Sequence, residues 1–228
     1  MRERPPQPFR LLLASASPRR RALLEEAGIA HEVVPTGVDD GQLGQGPPDT
    51  TGLVTPAAWV SGLAYFKARG AADVLNSEAA PDSPAPRTFV LAGDTVCVVG
   101  AAVIGQPRDA AHARAMIRSF VGREHDVLTG VCLIGLGSGA RAIVHDRAVV
   151  RLGRLDDAEI HRYVASESWR GKAGAYNFFE RRDAGWPLEV DGDPQTVVGL
   201  PIRVVRDLLA RHGFETSDPS TCHAGSKA

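Results

Sequence analysis

Apolar residues along this chain form short continuous runs that alternate with stretches of helical spacing. The runs predict strands at 11–14, 33–38, 88–92, 97–99, 126–136 and 142–152, the last two joined around Gly137-Ser138-Gly139. The spaced stretches predict helices at 18–27, 57–72, 109–120 and 156–165, and a last helix that follows 199–201 and ends at 209. Because strands and helices alternate, the chain is predicted to have an α/β fold.

Composition adds loops and a size limit to this picture. The stretches 41–48 and 76–87, rich in glycine, proline and polar residues, predict loops. With 228 residues, 43% of them apolar, the chain can form one large domain or two small ones with a real core. The second predicted helix is expected to turn three side chains toward that core, namely Leu63, Ala64 and Phe66.

Charge and cysteine usage limit the possible partners and compartments. The net charge of −1 argues against a broad basic surface for nucleic acid. Cys97, Cys132 and Cys222 lack metal-like spacing; the first two lie in apolar runs and are predicted to be buried thiols of a reducing compartment. The first apolar patch is shorter than the ~7–15 residues of a secretory signal, and no run reaches the ~20 residues of a membrane span. The sequence therefore predicts a soluble, cytoplasmic protein without nucleic-acid or membrane partners.

The segment LLLASASPRRR at 11–21 carries the clearest chemical signal. Ser17 and Pro18 predict a helix start with the serine as N-cap, and Gly28 predicts the helix end. A strand therefore feeds a helix whose first turn gathers hydroxyl and guanidinium groups, those of Ser15, Ser17, Arg19 and Arg20. Together with backbone N–H groups they suit a phosphate-bearing ligand such as a nucleotide. The alternative is a capped surface helix with solvated arginines.

Two groups of carboxylates suggest a metal site. Asp94, in Gly93-Asp94-Thr95-Val96, is predicted to lie at the mouth of one strand and before the next, where it could hold Mg²⁺ or orient a water molecule. Asp39 and Asp40 end another predicted strand, and Asp40 could complete the metal site, since two close carboxylates repel without a cation. Ordinary acidic turns are the alternative at both places.

Two lysines and four histidines are further candidates for chemical roles. Lys67, in the middle of a predicted helix, either snorkels to solvent or neutralises a transferring phosphoryl group. Lys172 lies between glycines that let backbone approach a ligand closely, and a flexible loop is the alternative. Four histidines without ligand spacing are predicted to be surface or satisfied core residues, namely His112, His125, His145 and His161.

Five motifs are informative as an ordered set. They are LLASASPRR at 12–20, GDTV at 93–96, the stretch 122–130 with His125 and Thr129-Gly130, KAGAY at 172–176, and VVGLP at 197–201. Together they resemble the Maf family of nucleoside triphosphate pyrophosphatases. The resemblance implies an inosine-triphosphatase-like α/β fold with a long twisted mixed sheet, flanking helices and a central cleft. The resemblance covers roughly 11–213, which is expected to form one catalytic domain of two lobes after an N-terminal extension (1–10). The small and polar residues that follow predict a disordered tail (214–228).

The resemblance also implies hydrolysis of a nucleoside triphosphate to the monophosphate and pyrophosphate, with Mg²⁺ or Mn²⁺ and often in a homodimer. Asp94 matches the family's catalytic acidic residue, assigned to activating the attacking water, and Lys67 matches its helix lysine. Arg19 and Thr95 match positions tied to substrate choice, and a threonine after the aspartate resembles the dTTP/UTP branch more than the 7-methyl-GTP branch. The phosphate-binding segment of the family is matched by Ser15, Ser17, Arg19 and Arg20.

The chain departs from the family pattern at three places. Asp39-Asp40 stands where the family has Asp-Glu, and Gln106 replaces a lysine, which removes a positive charge from the expected phosphate site. The family's Gly-Ile-Gln-Gly becomes 177–180, NFFE, so Phe179 stands where a base-reading glutamine is expected. Asn177 and Glu180 either take over base recognition or rebuild the loop without touching a ligand, and base preference stays open.

The favoured hypothesis is a metal-dependent hydrolase that removes non-standard or excess nucleotides. Asp94 and Lys67 are its expected catalytic residues, and Asp94 and Asp40 its expected metal ligands. The expected substrate-binding residues are Ser15, Ser17, Arg19, Arg20, Thr95, Lys172, Asn177 and Glu180. The alternative is a nucleotide-binding regulator, linked to cell division, with little turnover, suggested by Gln106 and the changed loop. A nucleotidyltransferase is a third hypothesis, although no separate motif for an acceptor is present.

Overall fold

The computed structural model describes residues 9–36, 54–78, 87–100 and 102–214. Seven strands are present in this part of the chain: β1 Phe9–Ala14, β2 Glu32–Val34, β3 Arg87–Val99, β4 Ala102–Ile104, β5 Arg123–Gly135, β6 Arg141–Leu152 and β7 Leu188–Asp191. The α-helices described are α1 Pro18–Glu26, α2 Pro56–Glu78, α3 Ala110–Phe120, α4 Asp157–Ala165, α5 Phe178–Asp183, α6 Pro194–Val198 and α7 Ile202–Arg211, with a 3₁₀ turn at Ala173–Ala175.

The strands form one mixed sheet in the order β2-β1-β3-β5-β6-β7, with β4 paired to β3. β1 runs parallel to both β2 and β3, whereas the other pairs are antiparallel. The predicted pair β5 and β6 is confirmed, and Gly137 and Gly139 in the connecting turn both have positive φ. The sheet is open rather than closed into a barrel, and helices flank it, which confirms the predicted α/β class.

Among the described strands, one edge of β3 is unpaired between the part that pairs with β1 and the part that pairs with β4. β1 pairs with the first part of β3, as far as Leu91, and β4 pairs with it again only from Cys97. Between these points the described residues of β3 pair only with β5 on the other side. Asp94 lies in this interval, so the prediction that it follows a strand end was wrong: β3 is one continuous strand of 13 residues. Antiparallel pairing along β5 holds the strand extended through the gap.

The central strands are covered on both faces, which explains their continuous apolar runs. Along β1, Leu11 and Leu13 pack with α1 and α7, whereas Leu12 and Ala14 pack with α2 on the opposite face. The buried side of α2 consists of Val60, Leu63, Ala64, Lys67, Ala68, Ala71 and Ala72. Leu63 and Ala64 are therefore buried as predicted, but Phe66 lies off this stripe and is 53% exposed, so its prediction was wrong.

Several element boundaries differ from the predictions. β2 is shorter than the run 33–38 indicated, and α2 extends to Glu78, into the predicted loop 76–87. The short elements β4, α5, β7 and α6 were missed, because three to six residues carry too little periodicity to be recognised. The predictions for 1–8, the loop 41–48, Asp39-Asp40, Cys222 and the tail beyond 214 lie outside the described residues.

Cys97 and Cys132 are buried free thiols, as predicted. Burial raises the pKa of each thiol to about 12. Within the described part of the chain, no helix is both long and apolar enough to cross a membrane.

Candidate active site

A cavity of about 250 Å³ opens beside the unpaired edge of β3. The start of α1, the middle of α2 and the 3₁₀ turn converge on it. Part of its lining is polar, with Ser15, Ser17, Arg19, Arg20, Lys67, Asp94 and Thr95. The rest of the wall is largely apolar or aromatic, with Cys97, His125, Val127, Tyr176, Asn177 and Phe178. A gap in the sheet edge thus lets side chains from both faces of β3 reach one cavity.

Lys67 and Asp94 form a close ion pair in this cavity. The Lys67 ammonium donates to Oδ1 of Asp94 at 2.7 Å, and the two side chains are 9% and 17% exposed. Lys67 therefore points into the cavity toward Asp94 and does not snorkel to solvent. Partial burial strengthens the attraction between these charges but also makes an unpaired charge costly.

Gly130 allows α2 to bring Lys67 to this position. It lies opposite Asp94 in the antiparallel register of β3 and β5. A Cβ at Gly130 would come within 2.4 Å of the carbonyl oxygen of Val60, so a larger residue would push the first half of α2 off the sheet. Lys67 follows Val60 by two helical turns on the same buried stripe and therefore reaches Asp94.

The junction between β1 and α1 places hydroxyl groups beside the ion pair. Ser17 is the N-cap residue, but its side chain makes no capping hydrogen bond, contrary to the prediction. The neighbouring serine is used instead: Oγ of Ser15 accepts from the backbone N–H of Ser17 at 3.2 Å. Because Pro18 at the first helical position has no N–H, one backbone donor fewer needs a partner in the first turn of α1.

Arg20 is built into the inner wall of the cavity. Its Nε donates to the carbonyl of Gly199 at 2.8 Å, and its terminal nitrogens donate to Ser15 Oγ and Thr95 Oγ1, each at 3.2 Å. The Thr95 hydroxyl also lies 2.9 Å from Oγ1 of Thr129. Arg20 therefore joins α1, β3 and the turn before α7. It holds these elements together and also lines the cavity.

Arg19 and a second ion pair lie at the rim. Arg19 donates to the carbonyl of Gly171 at 3.4 Å. Burial lowers the pKa of the Arg19 guanidinium below its usual value, and the nearby carboxylate of Glu180 opposes this shift. Lys172 pairs with Glu180, and neither of these two lines the cavity. The structure thus brings the predicted residues Lys172 and Glu180 to each other rather than into the cavity.

The altered motif at 177–180 is organised around helix α5. Asn177 caps this helix, its Oδ1 accepting from the Glu180 backbone N–H at 3.0 Å, and it also lines the cavity. Phe178 is buried and lines the cavity as well. Phe179 is turned away: it packs against the core with Arg182 over its ring, and it is not part of the cavity wall. The helix start therefore places Asn177 and Phe178, not Phe179, toward a ligand.

His125 departs from the prediction that it is a satisfied core histidine. The residue is 3% exposed, its Nε2 lies 3.1 Å from the Tyr176 hydroxyl, and its ring stacks on Phe120. Its Nδ1 is buried without a hydrogen-bond partner among the described residues. Desolvation lowers the pKa of His125 to about 4, against the opposing charge of Asp126, so the imidazole is neutral near pH 7.

Several cavity residues carried no signal of their own in the sequence. Cys97 and Val127 read as ordinary strand residues, yet they are register partners that form one part of the wall. Gly199 accepts from Arg20 through its carbonyl, which no side-chain pattern encodes. Only the motif at 197–201, taken as part of the ordered set, pointed to this turn.

Asp94 is the predicted metal ligand that lies in the described part of the chain. No group of three or more His, Cys, Asp or Glu residues there is close enough to hold a metal ion. Asp94 presents one carboxylate to the cavity, and the predicted second ligand, Asp40, lies outside the described residues.

The stretch of sequence that carries the ordered motifs is matched by a known family. A family model described as Maf-like protein matches residues 10–212. The chain belongs to the Maf-like protein family. The resemblance inferred from the five motifs is thereby confirmed over nearly the whole described chain.

Curated Maf-like relatives cover most of the chain at moderate identity. The dTTP/UTP pyrophosphatase of Pelotomaculum thermopropionicum is 36% identical over 204 residues, which is 90% of this chain and 97% of that protein. A dTTP/UTP pyrophosphatase of an Anaeromyxobacter species is 39% identical over 208 residues, 90% of each chain. That of Salinibacter ruber is 38% identical over 193 residues, 85% of this chain and 86% of that protein. The similarity extends over whole proteins and is not restricted to single motifs.

Proposed function

We propose that this chain hydrolyses a nucleoside triphosphate at the α-phosphorus, releasing the nucleoside monophosphate and pyrophosphate. The observation that carries the proposal is the Lys67–Asp94 pair, which lies next to the start of α1 inside the cavity. Relatives that span most of the chain are named dTTP/UTP pyrophosphatases, which supports the same reaction. A pyrimidine nucleoside triphosphate is therefore the substrate we expect first.

The polar part of the cavity lining suits the triphosphate. Arg19, Arg20 and Lys67 supply positive charge, and the hydroxyls of Ser15 and Ser17 supply hydrogen bonds around the N-terminus of α1. Charge on the phosphoryl oxygens grows during transfer, so fixed cations in a partly buried site lower the barrier by electrostatic stabilisation. Asp94, held by Lys67, is positioned to orient the attacking water and accept its proton.

A divalent cation fits this donor set. Mg²⁺ and Mn²⁺ prefer oxygen ligands, and Mg²⁺ is commonly held by one or two carboxylates together with substrate phosphates. Asp94 would hold the cation from the described part of the chain, with Asp40 as the second candidate. When bound, the cation would neutralise phosphate charge and polarise the phosphorus centre.

The apolar part of the cavity lining suits the base and sugar. Val127, Tyr176 and Phe178 offer surfaces against which a planar ring can pack, and Asn177 adds an amide. Thr95 also lines the cavity, although its hydroxyl is already bonded to Arg20 and Thr129. We therefore propose that Asn177 is the group most able to distinguish bases.

Pyrophosphate release from a nucleotide panel tests this proposal. The panel contains dTTP, UTP, CTP, ITP, 7-methyl-GTP and the common purine nucleotides, each with Mg²⁺ or Mn²⁺. We expect release from one or a few nucleotides, lost by at least ~100-fold in Asp94→Asn. Asp73→Asn, on the exposed face of α2, is the matched control and should keep full activity.

The same panel separates the hydrolase from the nucleotide-binding regulator. Binding of a nucleotide by calorimetry with no pyrophosphate from any member would favour the regulator. Release that is equal in Asp94→Asn and the wild-type chain would contradict the assignment of Asp94.

A further inference from the structure

Between the cavity-lining residues Ala173 and Tyr176, the chain turns through two consecutive residues in the left-handed region. Gly174 has φ +68° and Ala175 has φ +69°. Glycine is required at the first position, because a Cβ there would lie 2.7 Å from Sγ of Cys97. Ala175 carries a Cβ in a conformation that costs an L-residue free energy, so something must hold it there.

Tyr163 provides that restraint from outside the cavity. It lies on α4, is 3% exposed, and its hydroxyl donates to the carbonyl of Ala175 at 3.0 Å. Its ring is fixed edge-on against Trp186, with ring centroids 5.0 Å apart, and lies under the guanidinium of Arg181. The phenol therefore cannot follow Ala175 if the backbone changes conformation, and the hydrogen bond acts as a fixed point.

Separate bonds hold the residues on either side. The backbone N–H of Gly174 donates to the carbonyl of Gly105 at 3.0 Å, and the Tyr176 hydroxyl lies 3.1 Å from Nε2 of His125. These contacts, together with the bond from the Ala175 backbone N–H to the carbonyl of Lys172 at 3.1 Å, fix where the turn sits, whereas the bond from Tyr163 fixes the orientation of the Ala175 carbonyl. That orientation sets the direction of the next three residues, Tyr176, Asn177 and Phe178, all of which line the cavity.

We propose that Tyr163 is a positioning residue for nucleotide binding. Its hydrogen bond keeps Ala175 left-handed and thereby holds the wall at 176–178 in the arrangement that accepts the nucleotide. The proposal rests on the function proposed above. Without the bond, Ala175 relaxes toward negative φ in a fraction of molecules, and apparent affinity falls in proportion to the competent fraction that is left. Lys67 and Asp94 lie on α2 and β3, which this change does not move, so the rate of the chemical step is unchanged.

Steady-state pyrophosphate release by Tyr163→Phe tests this role, with the nucleotide that the wild-type chain uses best. Loss of one buried hydrogen bond should raise KM about tenfold. The kcat should stay within about twofold of wild type, a split that a general loss of folded protein would not produce. Tyr65→Phe, which removes a phenol on α2 away from the cavity, is the matched control and should leave both constants unchanged.

Ala175→Gly supplies the decisive comparison. Glycine adopts positive φ without steric cost, so it no longer needs the restraint. In the Tyr163→Phe background it should bring KM back to within about threefold of wild type, and alone it should leave KM nearly unchanged. An unchanged KM in Tyr163→Phe, or a raised KM that Ala175→Gly does not restore, would overturn the proposal.

Two further outcomes are also decisive. If Tyr163→Phe does not fold, the single variant Ala175→Gly still tests the idea, because a raised KM there means that the Ala175 methyl contact matters rather than its conformation. If the wild-type chain binds nucleotide without turnover, the proposed function fails but the positioning role does not. The same variants are then compared by nucleotide dissociation constants, with the same expected changes.

Discussion

The ammonium of Lys67 and the carboxylate of Asp94 meet 2.7 Å apart at the one place where β3 has left β1 and has not yet joined β4. The pair therefore lies in a gap of the sheet edge among the described strands, between helix α2 and the start of α1. Its position explains why a charged pair is tolerated within largely buried surroundings: the gap gives it access to ligand and solvent on one side.

Lys67→Met should reduce kcat by about 10²- to 10³-fold, because one fixed cation facing the phosphoryl group is lost. Asp94 would also lose its partner and keep a partly buried charge, which lowers the free energy of unfolding. Turnover and urea unfolding measure the two effects separately. Arg69→Met on the exposed face of the same helix is the control. Activity within threefold of wild type in Lys67→Met would remove this lysine from the mechanism.

Gly130→Ala should damage both stability and turnover, because the added Cβ would stand 2.4 Å from the Val60 carbonyl oxygen. Overpacking of this kind costs about 1–3 kcal/mol, and displacement of α2 would separate Lys67 from Asp94. Gly62→Ala, on α2 itself, is the matched control, since a Cβ there meets nothing within 4 Å. That variant should be neutral or stabilising by up to about 1 kcal/mol. Equal stability of the two variants would contradict the close approach of α2 to β5.

Acid should destabilise the protein partly through His125. The pKa of this imidazole is lowered from 6.5 to about 4 in the folded chain, so below pH 6.5 the unfolded chain binds a proton that the folded chain does not. Stability should therefore fall as pH drops from 6.5 to 4, by roughly 3 kcal/mol from this group. In urea unfolding across this range, the free energy of unfolding of His125→Gln should depend less steeply on pH than that of the wild-type chain. His145→Gln, at an exposed position of β6, should behave as wild type; an unchanged slope in His125→Gln would show that other groups dominate.

Restoring the family's glutamine at position 179 should not restore base recognition. Phe179 packs against the core and is not part of the cavity wall, so Phe179→Gln should cost about 1–3 kcal/mol of stability while leaving the order of preferred nucleotides unchanged.

Asn177→Asp makes the contrasting prediction. Aspartate caps a helix as well as asparagine does, so α5 should persist, but the cavity loses an amide and gains a negative charge. We expect KM for every triphosphate to rise by about tenfold or more and the preference between bases to change. The relative kcat/KM values over the nucleotide panel distinguish the two positions. A changed base preference in Phe179→Gln together with an unchanged one in Asn177→Asp would assign base discrimination to position 179 instead of Asn177.

Much of the secondary structure was evident from the sequence. The apolar runs and helical spacings predicted the long strands, the five longer helices and the α/β class, because neighbouring residues set these periodicities. Short elements such as β4 and β7 were missed for the same reason, since three or four residues do not define a period.

By itself the sequence determined the family and the chemical inventory: a serine- and arginine-bearing helix start, an aspartate in GDTV and a lysine within a helix. Only the tertiary structure decided how these groups are used. It paired Lys67 with Asp94, paired Lys172 with Glu180 at the rim of the cavity, and packed Phe179 against the core outside the cavity wall. These outcomes depend on strand register, on where β1 and β4 stop along β3, and on the rotation at which α5 begins. Contacts between segments distant in the chain set all three, and local sequence patterns do not encode such contacts.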